Sequence, residues 1–464
     1  MTTIGDVAEV FDGPHATPKK VEEGPYFLSI SSLENGSLDL SKSARVSEED
    51  FVKWTRRVTP KEGDVLFSYE TRLGDAAMMP PNLMACLGRR MGLLRPDREK
   101  VIPEYLLYAY LAPAFQETIR SKTNHGATVD RIALKELPDF PIRIPYLDEQ
   151  RNVVEILKSI DNKIQLNRQT NQTLEQIAQA IFKSWFVDFE PVKAKVIVKE
   201  KGGSPLAQSL AAQAILCGAI TLEQLTALEN DYRGLEAQLH PLITQRFPEQ
   251  HGLDYWSPEQ LQTTAELFPD ALVGSELGKV PKGWELHTVE GVMELAYGKA
   301  LKKTDRTDGE FPVYGSGGFT GTHNKSLVEG PGIIIGRKGT IGSLHWEYRD
   351  FYPIDTVFYV VCKNAMTLPF AFYLLQGLGL SEMNTDAAVP GLNRNNVYRL
   401  EIPNYPDDVI ECFTDLVGSV RKAVESFQIE NDYLSQLRDT LLPKLLSGKL
   451  GLDQQQLENS EANA

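Results

Sequence analysis

Several groups of residues in this chain have types suited to catalysis, and each misses the spacing its chemistry needs. Gly274-Ser275-Glu276-Leu277-Gly278-Lys279 resembles a phosphate loop, but its glycines stand one residue too close, and Val280 replaces the Ser or Thr that would hold magnesium. Pro269-Asp270 with Glu276 suggests a nuclease carboxylate cluster, yet no Glu-x-Lys follows and a loop turn accounts for the same residues. GSGGFTG from Gly315 is glycine-rich without the strand and helix that a dinucleotide site requires, and the 7 histidines include no HExxH pair. No Asn-Pro-Pro-aromatic tetrapeptide, of the kind amino-methyltransferases use to grip a flipped base, is present. Cys86, Cys217, Cys362 and Cys412 form no CxxC pair, so neither a zinc site nor a disulfide framework is expected, in keeping with a reducing cytoplasm. The expectation is a non-catalytic chain with no metal and no cofactor.

What the sequence does specify is a pair of long helices. From Leu147 to Phe186, Ile160, Ile164, Leu174, Ala178, Ile181 and Trp185 recur at alternating spacings of three and four, Asn167 and Asn171 complete the stripe, and no Pro or Gly interrupts it. Such a stripe cannot be buried by its own helix and needs a partner. The segment Asp407 to Leu446 supplies one: a gapless shift lays Asn171 on Asn431, Leu174 on Leu434 and Ile181 on Leu441, and puts Val420 and Val424 on the same seam. A polar residue at one seam position fixes register at some cost in stability, so the pair is expected to be an antiparallel coiled coil.

Two copies of one helix imply two copies of what precedes each. TIGDVAEVFDG from Thr3 aligns with TVEGVMELAYG from Thr288, EGDVLFSYETRLGDA from Glu62 resembles EGPGIIIGRKGTIGS from Glu329, and ATVDRIALKELPDFPIRIP from Ala127 matches AAVPGLNRNNVYRLEIPNYP from Ala387. The predicted fold class is α+β, with an internal pseudo-two-fold repeat. The predicted divisions are a first α+β unit over 1–146, a helix over 147–190, a linker over 191–280 with one or two short helices, a second α+β unit over 281–406, a helix over 407–450, and a disordered tail over 451–464. The first unit is about 25 residues longer than the second, mostly between Ser31 and Thr59.

Net charge is −15, which on its face disfavours nucleic acid. The distribution softens this. Residues 1–146 carry 19 Lys+Arg against 21 Asp+Glu, and residues 281–406 carry 12 against 13, so the helices and linker hold most of the acid. No apolar run is long enough to span a membrane and no signal pattern opens the chain, so a soluble cytoplasmic protein without membrane partners is expected.

The chain resembles the DNA-specificity subunits of type I restriction-modification systems over nearly its whole length. The residues that carry the resemblance are LDEQRNVVEILKSIDNKIQLNRQTNQTLEQIAQAIFKSWFVDFEPVKAK, SELGKVPKGWE, VYGSGG, IIIGRKGTIGS and LRDTLLPKLLSGKL, in that order. The resemblance implies two target-recognition domains that read double-stranded DNA at a bipartite site. It also implies helices that recruit two methyltransferase subunits, with two restriction/translocase subunits completing the complex. About forty helical residues at ~1.5 Å each span ~60 Å, which suits half-sites more than one helical turn apart.

On that reading the DNA-contact candidates of the second unit are Arg337 and Lys338, placed where the strand IIIG ends, with Tyr314, Ser316, Asn393, Arg394, Asn395 and Asn396 beside them. Those of the first unit are Ser68, Tyr69, Arg72, Lys122, Asn124, His125 and Arg131; Lys19, Lys20, Lys302 and Lys303 add backbone contacts. The competing reading is a coiled-coil scaffold whose α+β units bind peptides, which the acidic net charge favours.

Overall fold

Each half of the chain builds the same pair of sheets in the same order. The computed structural model describes residues 2–14, 16–34, 36–124, 130–228, 234–245, 257–383 and 391–449. The chain divides into unit 1, Met1–Asn167 with Ile429–Ala464, and unit 2, Arg168–Gln428.

The main strands of unit 1 are β1 (Ala8–Asp12), β2 (Val21–Phe27), β3 (Ala44–Arg45), β4 (Val65–Ser68), β5 (Ala76–Met78), β6 (Ala85–Cys86) and β7 (Met91–Pro96), beside two short two-stranded ladders. They form a four-stranded sheet in the order β1-β7-β4-β5 and a three-stranded sheet β3-β2-β6, in which β2 meets β6 in parallel. β4 is buried along its length, as its apolar run VLFS predicts for a central strand. The ring of Phe67 lies across Gly92, where any Cβ would fall 2.5 Å from it.

In unit 2 the strands are β8 (Met293–Tyr297), β9 (Phe311–Gly315), β10 (Gly318–His323), β11 (Gly332–Gly336), β12 (Leu344–Glu347), β13 (Tyr352–Pro353) and β14 (Val357–Cys362). Their orders are β8-β14-β11-β12 and β10-β9-β13, with β9 and β13 parallel. Each strand of these two sheets therefore repeats the strand seven places before it.

Four helices complete the repeat: α1 (Pro103–Leu111), α2 (Leu147–Phe182), α3 (Leu368–Gly377) and α4 (Asp407–Leu446). α1 and α3 start on a proline in the first turn, where the missing N–H is harmless, and bury Tyr105–Tyr110 and Phe370–Leu375 respectively. α2 is tied to the connection between β7 and α1 by Gln150, whose amide accepts from Ile102 N at 2.8 Å and donates to Lys100 O, and also to Pro145 O.

The long helices run antiparallel within each unit. In unit 1, Ile160 and Ile164 are buried, Leu434 and Leu441 half-buried, and Asn167 donates to Asn431 Oδ1 at 3.1 Å with both side chains nearly sealed, at 1% and 4% exposure. In unit 2, Leu174, Ile181, Val420 and Val424 are half-buried, and Asn171 donates to Val424 O at 3.3 Å. The sequence shift lays Asn171 on Asn431, yet the residue facing Asn431 is Asn167. Antiparallel pairing places equivalent residues on different rungs, and Phe427 stands where the copy of Asn167 would be.

A tyrosine, a carboxylate and an arginine join each α+β unit to its helices. Tyr108 donates to Asp161 at 2.7 Å, and Asp161 pairs with Arg438 at 3.1 Å. Tyr373 donates to Glu175 at 3.2 Å, and Glu175 pairs with the buried Arg421 at 3.3 Å. Arg421 also lies 4.3 Å from the Phe372 ring centre and 4.6 Å from that of Trp346.

The segment expected to be a linker is a helical layer of unit 2. It holds helices Glu190–Glu200, Pro205–Leu216, Leu222–Ala227, Leu235–Thr244 and Pro258–Leu267, then a hairpin of Leu272–Ser275 with Gly278–Pro281. KAKVIVK reads as charged, but Ala194 and Val198 fall with Pro191 on one buried face. Lys195 buries its stem there and donates to Phe268 O at 2.6 Å. Phe189, at φ 52°, breaks the preceding helix, and Trp185, Phe186, Phe268, Trp284, Tyr405 and Phe413 form one aromatic core beneath the layer. The expected disordered tail lies outside the described residues.

Candidate functional site

In unit 2 the candidate residues converge because four chain segments meet at one end of the β8-β14-β11-β12 sheet. β11 ends at Gly336, and the backbone N–H groups of Arg337 and Lys338 both donate to Thr356 O, at 2.9 and 3.1 Å. Leu392 N donates to Arg337 O at 2.8 Å, which brings the segment carrying Asn393 and Arg394 alongside. The tight turn between β9 and β10 joins them: Ser316 N donates to the Thr356 hydroxyl, and Ser343 donates to Ser316 O at 2.6 Å. Gly318, at φ 100°, closes that turn in a conformation that side chains rarely adopt.

Tyr297, at the end of β8, organises the cations. It is 47% exposed, and the guanidinium carbons of Arg337 and Arg394 each lie 4.8 Å from its ring centre. Arg337 also donates to Asp355 O at 3.2 Å, and Arg394 leans on Tyr398. The Arg394 Nε is buried without a hydrogen-bond partner. Among the described residues neither arginine is within ion-pair distance of a carboxylate. Lys338 is exposed beside them, and Phe319, 59% exposed, stands on β10.

The remaining candidates of unit 2 are otherwise engaged. Asn393 accepts from Asn395 N at 2.9 Å as a helix cap, and Asn395 is exposed. Tyr314 donates to Glu347 at 2.8 Å, with burial and that carboxylate pushing its phenol upward. Lys302 and Lys303 are exposed on a segment that Arg306 fastens to β10 through Thr320 O.

Unit 1 brings the same segments together with different chemistry. Ile132 N donates to Tyr69 O at 2.9 Å as Leu392 N does to Arg337 O, so Tyr69 occupies the place of Arg337. The likeness of EGDVLFSYETRLGDA to EGPGIIIGRKGTIGS is thus one residue out of step with the hydrogen-bond register. Asp12 takes the place of Tyr297, because β1 and β8 pair with β7 and β14 in matching register.

Three arginines here are spent on carboxylates. Arg57 meets both oxygens of Asp12 at 2.8 Å, Arg90 meets Glu70 at 3.3 Å, and Arg72 meets Asp75 at 2.5 Å while donating to Leu33 O. Arg90 and Thr71, joined by a 3.0 Å hydrogen bond, both adopt left-handed backbone conformations, at φ 72° and 71°. Outside glycine such conformations cost on the order of 1 kcal/mol each.

Two candidates of unit 1 are corrected by burial. Ser68 is fully enclosed and gives its hydroxyl to Glu70 O at 2.8 Å, leaving nothing to offer a ligand. Tyr69 is buried with its hydroxyl unpartnered, and burial pushes that phenol up. Asn124 pairs with Arg131 across a short ladder, and Arg131 bridges to Glu70, so these two join the cluster. Lys122 is exposed just before that ladder; Lys19 and Lys20 are exposed on the approach to β2. His125 lies outside the described residues.

Sequence reasoning did not single out Tyr297, Arg57 or Arg90. The signals were available: an aromatic before the glycine in LAYG, and an Arg-Arg pair in the turn LGRRMG. Among the described residues no cluster of His, Cys, Asp or Glu could hold a metal, and no helix is long and apolar enough to cross a membrane.

Compared with known proteins, the sequence matches the family "Type I restriction modification DNA specificity domain" over residues 1–176 and 281–404. The specificity subunit of the type I restriction enzyme HindI from Haemophilus influenzae is 26% identical over 427 residues, 84% of this chain and 87% of that protein. The MjaIX specificity subunit from Methanocaldococcus jannaschii is 27% identical over 200 residues, 42% of this chain and 45% of that one. Among solved structures, a type I S subunit from M. genitalium aligns over 96% of this chain and 94% of that one, at 16% identity and a TM-score of 0.47. The HsdS subunit from Thermoanaerobacter tengcongensis aligns over 97% and 96%, at 14% identity and a TM-score of 0.31.

Proposed function

Because the chain belongs to the type I restriction modification DNA specificity family, we propose that it is the non-catalytic cytoplasmic subunit that reads a bipartite DNA target for its complex. The observation that carries this reading is the repeat: two units with one strand order, each holding polar and basic side chains at the same end of its sheet. Two such readers call for two half-sites separated by an unread spacer.

The helix pair is the surface for recruiting two methyltransferase subunits, and through the assembled complex two restriction/translocase subunits. Exposed apolar residues support this. Leu166, Ile429, Tyr433 and Leu437 in unit 1, and Ile177 in unit 2, lie on the long helices away from the seam. Apolar side chains left in water along a helix suit a partner helix.

Mapping methylated adenines in host cells with and without the gene tests the function. One bipartite motif should vanish when the gene is removed. An unchanged map in cells that still assemble the complex overturns the assignment.

A further inference from the structure

We propose that Tyr297 sets the base preference of unit 2 by holding Arg337 and Arg394 as guanine readers, so that the half-site read by unit 2 requires guanine. This rests on the DNA-reading assignment above. Two guanidinium groups sharing one ring repel each other, and among the described residues no carboxylate offsets them. The face of an electron-rich ring attracts both cations and restricts their rotamers before any ligand arrives. What a ligand can meet is the terminal nitrogens: Arg337 spends one on Asp355 O, while the Arg394 Nε is sealed inside without a partner.

The ligand edge that answers a fixed guanidinium fork is one with two adjacent acceptors. In the major groove guanine alone presents that edge, through O6 and N7. A phosphate also accepts from arginine, but the exposed Lys338 next in the chain is the better backbone contact, being flexible and unstacked.

Unit 1 shows what the site looks like without the clamp. Asp12, Tyr69 and Leu134 stand where unit 2 has Tyr297, Arg337 and Arg394, and the nearby Arg57, Arg72 and Arg90 are bonded to carboxylates. The guanine requirement therefore belongs to one half-site.

The test uses the full-length chain co-purified with its methyltransferase partner, bound to duplexes in which the mapped target positions are varied one at a time. Arg337→Ala should relax preference at one guanine of a single half-site by roughly 10- to 100-fold, leaving the other half-site unchanged. Arg337→Lys, which keeps the charge and loses the fork, should relax the same position. Tyr297→Leu should weaken discrimination there by about 2- to 5-fold, with Tyr297→Phe restoring it. A uniform loss of affinity across all sequences would mean a phosphate contact and overturn the inference. So would a relaxed position that is not guanine, while a bipartite motif in the wild type would leave the DNA-reading assignment standing. A wild-type complex with no sequence preference would remove both.

Discussion

At the scale of single residues, the groups that join readers to helices make the sharpest energetic predictions. Tyr108→Phe removes one hydrogen bond to a carboxylate and should cost about 1 kcal/mol, whereas Asp161→Ala strands the Tyr108 hydroxyl and leaves Arg438 only its neighbour Asp439, and should cost about 1 to 2 kcal/mol. Urea unfolding of the two variants gives the comparison. Arg421 adds a second case. Its buried cation is packed among Phe372, Trp346 and Tyr373, so Arg421→Ala should destabilise by about 3 kcal/mol and Arg421→Met, which refills the space, by clearly less.

Much of the chemistry at this scale was not legible in the sequence. Arg337 and Arg394 could be named from their places after IIIG and GLN, but the ring that pairs them, Tyr297, lies far upstream of both and on another strand. Ser68 looked available because a serine at a strand end usually is; the loop that follows folds over it.

At the scale of elements, the long helices were the most legible part of the chain, because a stripe at spacings of three and four has one physical explanation at that length. The rung that pairs Asn167 with Asn431 was less so, since register depends on which way the second helix runs. Asn167→Leu alone should cost about 1 to 3 kcal/mol by stranding Asn431 in an apolar seam, and adding Asn431→Leu should recover most of it. Thermal unfolding of the single and double variants measures this. Removing four residues, about one turn, from α2 should change the tolerated spacer or abolish binding without altering either half-site, as a methylated-site map would show. One or two short helices were expected between Glu190 and Leu267 where the structure has five among the described residues, because the first alternates apolar residues with lysines, of which Lys195 is itself buried, and so reads as an exposed charged segment.

At the scale of the whole molecule, alkaline pH should be the destabilising direction. Burial holds the phenols of Tyr105, Tyr108, Tyr110, Tyr373 and Tyr405 above their ordinary value, with the Asp161 carboxylate raising Tyr108 further and Tyr105 pushed up to about 12. In the unfolded chain these groups ionise near 10.0. Their contribution is therefore complete below that pH and is lost as pH climbs toward the folded values. The melting temperature should hold level to about pH 9 and fall above about pH 10, with phenolate absorbance from these tyrosines appearing only as the protein unfolds. A parallel rise in absorbance without loss of structure would show the rings to be accessible.

The internal ion pairs of unit 1 bear on the order in which events happen. Arginines already matched to Asp12, Glu70 and Asp75 exert little pull on a polyanion beyond a Debye length of about 8 Å, whereas the unmatched pair beside Tyr297 still does. Capture should begin at unit 2 and slow steeply with added salt. The paired arginines of unit 1 then act on arrival, each trading a carboxylate for the duplex, so that added salt lowers the rate of capture more than the strictness of inspection.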